Sequence, residues 1–224
     1  MVGYPIMKLS RYLPLTLLLA LAGCSTTYYE AMEKIGVPKR EILVNRVDDT
    51  RQSQTKAKDQ FKSALDQFLA VTKVDGGDLQ KKYEELNDQL ESSEARAKDV
   101  RDHISGVEDV AKALFTEWKK ELGQYSNSNL RRESQREYDS TRRRYDTLIR
   151  LMHRSAARME PVLAAFRDQV LFLKHNLNAR ALASLDSTSH NLDTDVTRLI
   201  ADMEASIREN EAFVKDLAPP PPIP

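Results

Sequence analysis

The chain has 224 residues, with 34 basic and 34 acidic side chains, so it lacks the basic excess of a general polyanion binder. Charged residues make up 30% of it, aromatics 7%, and there are only 7 glycines, a balance that points to long helices. The single cysteine, Cys24, excludes an internal disulfide.

The first 29 residues read MVGYPIMKLSRYLPLTLLLALAGCSTTYY. Lys8 and Arg11 form a positive start, and 13–21 is an apolar run too short to span a bilayer. Small residues and Cys24 follow, the layout of an export signal. Met7-Lys8 offers a second start codon besides Met1. Leu21-Ala22-Gly23-Cys24 resembles the lipobox of bacterial lipoproteins. That resemblance implies removal of 1–23, acylation of Cys24 and a mature N-terminus at that cysteine. Ser25 implies sorting to the outer membrane, with the chain facing the periplasm of a bacterial envelope. The mature chain then has 32 basic and 34 acidic residues.

A lipidated N-terminus and short juxtamembrane segment is expected over 24–37. Tyr28 and Tyr29 either rest on lipid head groups or pack on the protein body. Gly36-Val37-Pro38 breaks the chain. From 38 to 74 neither Gly nor Pro occurs. The apolar positions Ile42, Leu43 and Val47 resume at Ala57, Phe61, Ala64, Leu65, Phe68 and Leu69. The gap 48–56 is either solvated or covers a polar partner. Asp75-Gly76-Gly77-Asp78 reads as a turn, with Asp78 the N-cap of the next helix.

The 79–122 segment has the clearest rhythm: Leu79, Tyr83, Leu86, Leu90, Ser93, Ala97, Val100, Ile104, Val107, Ala111, Leu114, Trp118. Its steps alternate four and three, as in a heptad. Ser93 and Ala97 make one thin layer. A loop over 123–129 leads to a helix reaching 177, whose rhythm slips by one near Met152 and Ala156. Pro161 should kink or break it. A last helix over 179–217 carries Leu182, Leu185, Leu192, Val196, Leu199, Met203, Ile207 and Val214. The tail 218–224, with PPPPIP, is extended polyproline.

The expected fold is all-α: an elongated antiparallel bundle or coiled coil of four long helices over 38–217. Net charges of +3 (38–74), −4 (78–125), +5 (127–177) and −4 (180–217) alternate along it. Opposite signs on sequential neighbours help select partner and orientation.

The 131–158 run carries nine arginines and four acids. Folding about the loop near Ser126 sets Arg131 opposite Glu121, Arg143 opposite Asp109, Arg144 opposite Glu108, Arg150 opposite Asp102 and Arg158 opposite Glu94. Arg132, Arg136, Arg142 and Arg154 are left without a partner, and they are the candidates for contact with an anionic surface. Nucleic acid is excluded as a partner by export and by the lack of interleaved stacking aromatics. His103 and His153 come near each other in this register, but two histidines make no zinc site.

Gly-rich phosphate loops, GxSxG, HExxH and metal-spaced Cys/His clusters are missing. No catalytic, cofactor or metal residue is expected, and no enzymatic activity. The stretches YYEAMEKIG, VDGGDLQKKYEELND and RMEPVLAAFRDQVLFLKHNLNARA resemble an uncharacterised helical lipoprotein family of Gram-negative bacteria, known only as a domain of unknown function. The resemblance implies an envelope location and a helical fold, and it transfers no functional residue. The expected role is a scaffold, tether or adaptor with an unidentified envelope protein partner. The alternative is a BAR-like protein that senses or shapes the bilayer through a basic helix face.

Overall fold

The computed structural model of the chain describes residues 24–72 and 78–217. The expected export signal and most of the expected lipobox (1–23), the turn residues 73–77 and the Pro-rich tail lie outside the described residues. The elements are α1 (Cys24–Lys34), α2 (Lys39–Thr72), α3 (Leu79–Glu121), α4 (Ser128–His175) and α5 (Ala179–Leu217). There is no strand among the described residues. The 43 residues of α3 reach about 65 Å at 1.5 Å per residue.

One seven-residue rhythm builds the core. In α3, Leu86, Leu90, Ser93, Ala97, Val100, Ile104, Val107, Ala111 and Leu114 are all buried, as their spacing predicts. In α4 the buried series is Thr141, Tyr145, Leu148, Met152, Ser155, Met159, Val162 and Phe166. Ser155 fills the step between Met152 and Met159, so the slip expected there does not occur. The core position is present, occupied by a hydroxyl. In α5 the series runs Leu192, Val196, Leu199, Met203, Ser206, Asn210, Phe213 and Leu217. The core therefore turns through Ser206, Asn210 and Phe213, and Ile207 and Val214 stand beside it half-buried.

The polar gap of α2 has the same explanation. Thr50 and Gln54 hold core positions between Val47 and Ala57, and both are fully buried. Gln54 Nε2 donates to Ser155 Oγ and Ser206 Oγ, both at 3.0 Å. Its Oε1 accepts from Asn210 Nδ2 at 2.8 Å and Ser206 Oγ at 3.2 Å. Ser155 in turn donates to the Met152 carbonyl at 2.9 Å. One amide thus ties α2 to α4 and α5 inside the core.

The four long helices form a ring. α2 packs on α3 and α5, and α4 packs on α3 and α5, while the like-charged diagonals meet only across the core. Alternating charge therefore closes the whole ring, including the non-sequential α2–α5 seam. Ion pairs cross that seam at Lys58–Glu204 (3.7 Å) and Arg51–Glu211 (3.9 Å). Between α3 and α4 a ladder has rungs seven residues apart: Glu94–Arg167, Arg101–Glu160 at 3.8 Å and Glu108–His153 at 2.9 Å. Falling numbers on α3 against rising numbers on α4 make the pair antiparallel.

Local chemistry sets the ends. Asp78 accepts from the Lys81 amide at 3.1 Å, the expected N-cap. Asn127 caps α4 by accepting from the amides of Asn129 (2.8 Å) and Leu130 (3.2 Å). Pro161 does not break α4, which is one helix from Ser128 to His175. The residue is exposed, as is Ala157 one turn before it. The carbonyl that loses its amide partner therefore lies on the wet face. The thin layer at Ser93 and Ala97 is buried and borders an apolar void of about 10 Å³.

Replacing Gln54 by Leu leaves Ser155, Ser206 and Asn210 buried with too few partners, and should cost about 2–4 kcal/mol in a urea titration. Removing all four polar groups together (Gln54→Leu, Ser155→Ala, Ser206→Ala, Asn210→Leu) should recover most of that stability. A quadruple variant no more stable than the single one would show that the layer contributes stability beyond the pairing of its own members.

Candidate functional site

No described helix is long and apolar enough to cross a membrane. No group of three or more His, Cys, Asp or Glu is placed to hold a metal among the described residues. His103 and His153, close in the expected register, are separated. His103 lines a groove between α2 and α3, and His153 pairs with Glu108 in the α3–α4 ladder.

The arginine run is mostly spent on the chain itself. Arg144 pairs with Asp216 of α5, and Arg158 and Arg154 both reach Asp202 of α5, the latter at 3.0 Å. Arg136 pairs with Glu133 on its own helix. Arg142 pairs with Asp146 at 3.1 Å and stacks over Phe115 and Tyr145, with 5.0 and 5.5 Å to the ring centroids. Arg132 donates to Asn129 Oδ1, and Arg150 to Thr147 Oγ1 at 3.3 Å. Of the four arginines expected to lack partners, Arg136, Arg142 and Arg154 thus hold carboxylates. Arg131, Arg143 and Arg150, expected to be paired, make no ion pair among the described residues, and neither does Arg132, expected to lack one.

The expected loop register fails for a geometric reason. Glu94, set opposite Arg158, meets Arg167, and Glu108, set opposite Arg144, meets His153, nine residues further on in both cases. Long side chains lean toward the N-terminus of their own helix. In an antiparallel pair the two leans run past each other, so partners lie later in both helices than backbone level implies. Trp118, next to the loop, donates to Ser134 Oγ at 2.9 Å, where the loop-based register does hold.

Around Trp118 an aromatic chain links α3 to α4. Trp118 meets Tyr138 edge-on at 5.7 Å, Tyr138 meets Phe115 at 5.7 Å, and Phe115 meets Tyr145 at 5.4 Å. Burial pushes the Tyr145 hydroxyl up to about 12, helped by Glu108 and Asp146 against the opposing pull of Arg142.

The N-terminal helix is the part whose placement composition did not predict. α1 ends in a Schellman turn. The Val37 amide donates to the Met32 carbonyl at 3.0 Å and the Gly36 amide to that of Glu33 at 2.9 Å. Gly36 takes φ +89°, which a side chain rarely adopts. Pro38 then opens α2. The reversal lays α1 back against α2 and α3. Lys39, buried, fastens it by reaching Glu33 at 2.6 Å and Glu117 of α3 at 3.0 Å. Burial lowers its pKa, but the bonds to both carboxylates outweigh that, and the net direction is up. One turn nearer the N-terminus, Tyr29 is buried. Desolvation raises its pKa, Asp109 adds to the rise and Arg46 opposes it. The two tyrosines thus divide: Tyr29 packs on the body and Tyr28 is 46% exposed.

Residues 28–217 match a family described as "Protein of unknown function (DUF2959)". The chain belongs to that family. The DUF2959 match begins at Tyr28, four residues past Cys24, and ends at Leu217, where α5 ends. It therefore takes in the body-facing part of α1 together with the whole ring of long helices. No curated protein matches the chain.

Lys39→Met should free α1 while leaving the ring folded. The expected loss is about 1–3 kcal/mol of local protection, read as faster amide exchange over 28–36 with an unchanged core. Tyr145 gives a pH test. Its folded pKa lies above the ordinary 10.0, so its contribution is intact below that value and lost as pH climbs toward about 12. A tyrosinate absorbance titration should show one ring ionising last, and Tyr145→Phe should remove that step.

Proposed function

We propose that the protein is a non-enzymatic lipoprotein of the bacterial envelope, anchored through acylated Cys24 in the outer membrane, facing the periplasm. It acts there as a scaffold, tether or adaptor. The observation that carries this proposal is the lipobox Leu21-Ala22-Gly23-Cys24, whose cysteine stands four residues before the family match and is the first residue of α1. Acyl chains on that residue give stable anchoring, at about 0.8 kcal/mol per buried CH₂. A long bundle with charged seams offers extended side surfaces, suited to binding an envelope protein partner.

The BAR-like alternative, in which a basic face grips anionic lipid, has less support. Arg136, Arg142 and Arg154 are already held by carboxylates of the same chain. Arg132, together with Arg131, Arg143 and Arg150, supplies the exposed cations that would have to carry it.

Cys24→Ser should abolish incorporation of labelled palmitate and leave uncleaved precursor. Palmitate still entering that variant, or a wild-type chain that takes up none and stays in the soluble fraction, would refute the anchoring.

A further inference from the structure

We infer that the bundle lies along the bilayer on the flank formed by α2 and α3, with α1 sandwiched between protein and lipid. This rests on the anchoring at Cys24 proposed above. A rod that stood on its lipid would carry the anchor at one end. Here the reversal at Gly36 turns the chain back. Glu33 meets Lys39, the first residue of α2, while Tyr29 lies in the field of Arg46 and Asp109. Earlier residues of α1 thus sit beside later residues of α2. At 1.5 Å per residue the 11 residues of α1 place Cys24 about 16 Å back along the flank, toward the middle of α2.

The exposed face of α1 has the right chemistry. Toward the body it buries Tyr29 and packs Met32. Away from the body it presents Tyr28 and, at its end, Ile35, which is 73% exposed and the most exposed large apolar residue among those described. Ala31 between them is exposed too. Positions 24, 28 and 31 follow the four-three spacing of one helix face, and Ile35 stands in the turn that closes the helix. The acylation position therefore shares a register line with the outward apolar residues. A tyrosine and an isoleucine beside acyl chains suit the interfacial zone of a bilayer. Farther along the same α2–α3 flank a groove is lined by Asp49, Lys56, Arg96, Asp99 and His103, whose two acids and two bases balance. Arg154, bound to Asp202 of α5, lies on the opposite flank.

Lys56 and Arg154 stand at one height along the bundle, because Gln54 bonds to Ser155. The acylated full chain, carrying Lys56→Cys or Arg154→Cys and a donor dye on the new thiol, is reconstituted into phosphatidylethanolamine–phosphatidylglycerol vesicles with acceptor-labelled lipid. Cys24, a thioether once acylated, takes no dye. With helices packed 8–10 Å apart, the flanks are separated by about 20 Å, so energy transfer from position 56 should exceed that from 154 at least about twofold. Equal transfer from an acylated, vesicle-bound chain means an upright rod, and stronger transfer from 154 means the opposite flank is down. Either overturns the orientation and leaves the anchoring standing. A chain with unmodified Cys24 that does not bind vesicles overturns both.

Discussion

The buried amide of Gln54 is the constraint on which the rest of the bundle depends. A heptad core made only of Leu, Val, Met and Ala can slide by one repeat with little loss, since every layer resembles the next. Four hydrogen bonds to Ser155, Ser206 and Asn210 make one layer unlike the others. Sliding any of three helices would set an amide or hydroxyl against hydrocarbon, at roughly 1–3 kcal/mol for each group stranded. The α2–α5 ion pairs presuppose the register this layer imposes, while the α3–α4 ladder sets α3 against a helix that the layer has already placed.

Charge works at a coarser level. Its alternation around the ring disfavours a bundle with α2 beside α4 or α3 beside α5, whereas the polar layer selects among registers of the correct neighbours. The two devices act at different radii. The ion pairs are exposed and individually weak, and the amide is dry and unforgiving. Neighbour choice and register are thereby assigned to separate sets of residues.

Heptad spacing is visible in the chain wherever the core residue is apolar. The α3 series from Leu86 to Leu114 could be read directly for that reason, and so could the all-α bundle. Ser155, Ser206, Asn210 and Gln54 were invisible to the same reading, because a hydrophobicity pattern scores them as surface. The one apparent slip in α4 and the gap in α2 were the traces they left. A loop-based register offers each arginine of α4 only α3 as a partner, whereas Arg144, Arg154 and Arg158 face α5 and Arg136 and Arg142 pair along their own helix, which residue level alone does not show. The split between Tyr28 and Tyr29 needed the direction of α1, which depends on a single positive-φ glycine and a buried lysine.

The docked state of α1 also has a mechanical meaning. On the anchoring proposed above, a load pulling Cys24 away from the flank meets α1 at the end farthest from its attachment to α2. Such a load peels contacts one turn at a time, with Tyr29 first and the Lys39 clasp last. Once peeled and fully extended, the 14 residue steps from Cys24 to Pro38 span at most about 45–50 Å. The same short segment is thus a brace while docked and a slack line once released, which under the proposed anchoring would let the body move without leaving its lipid.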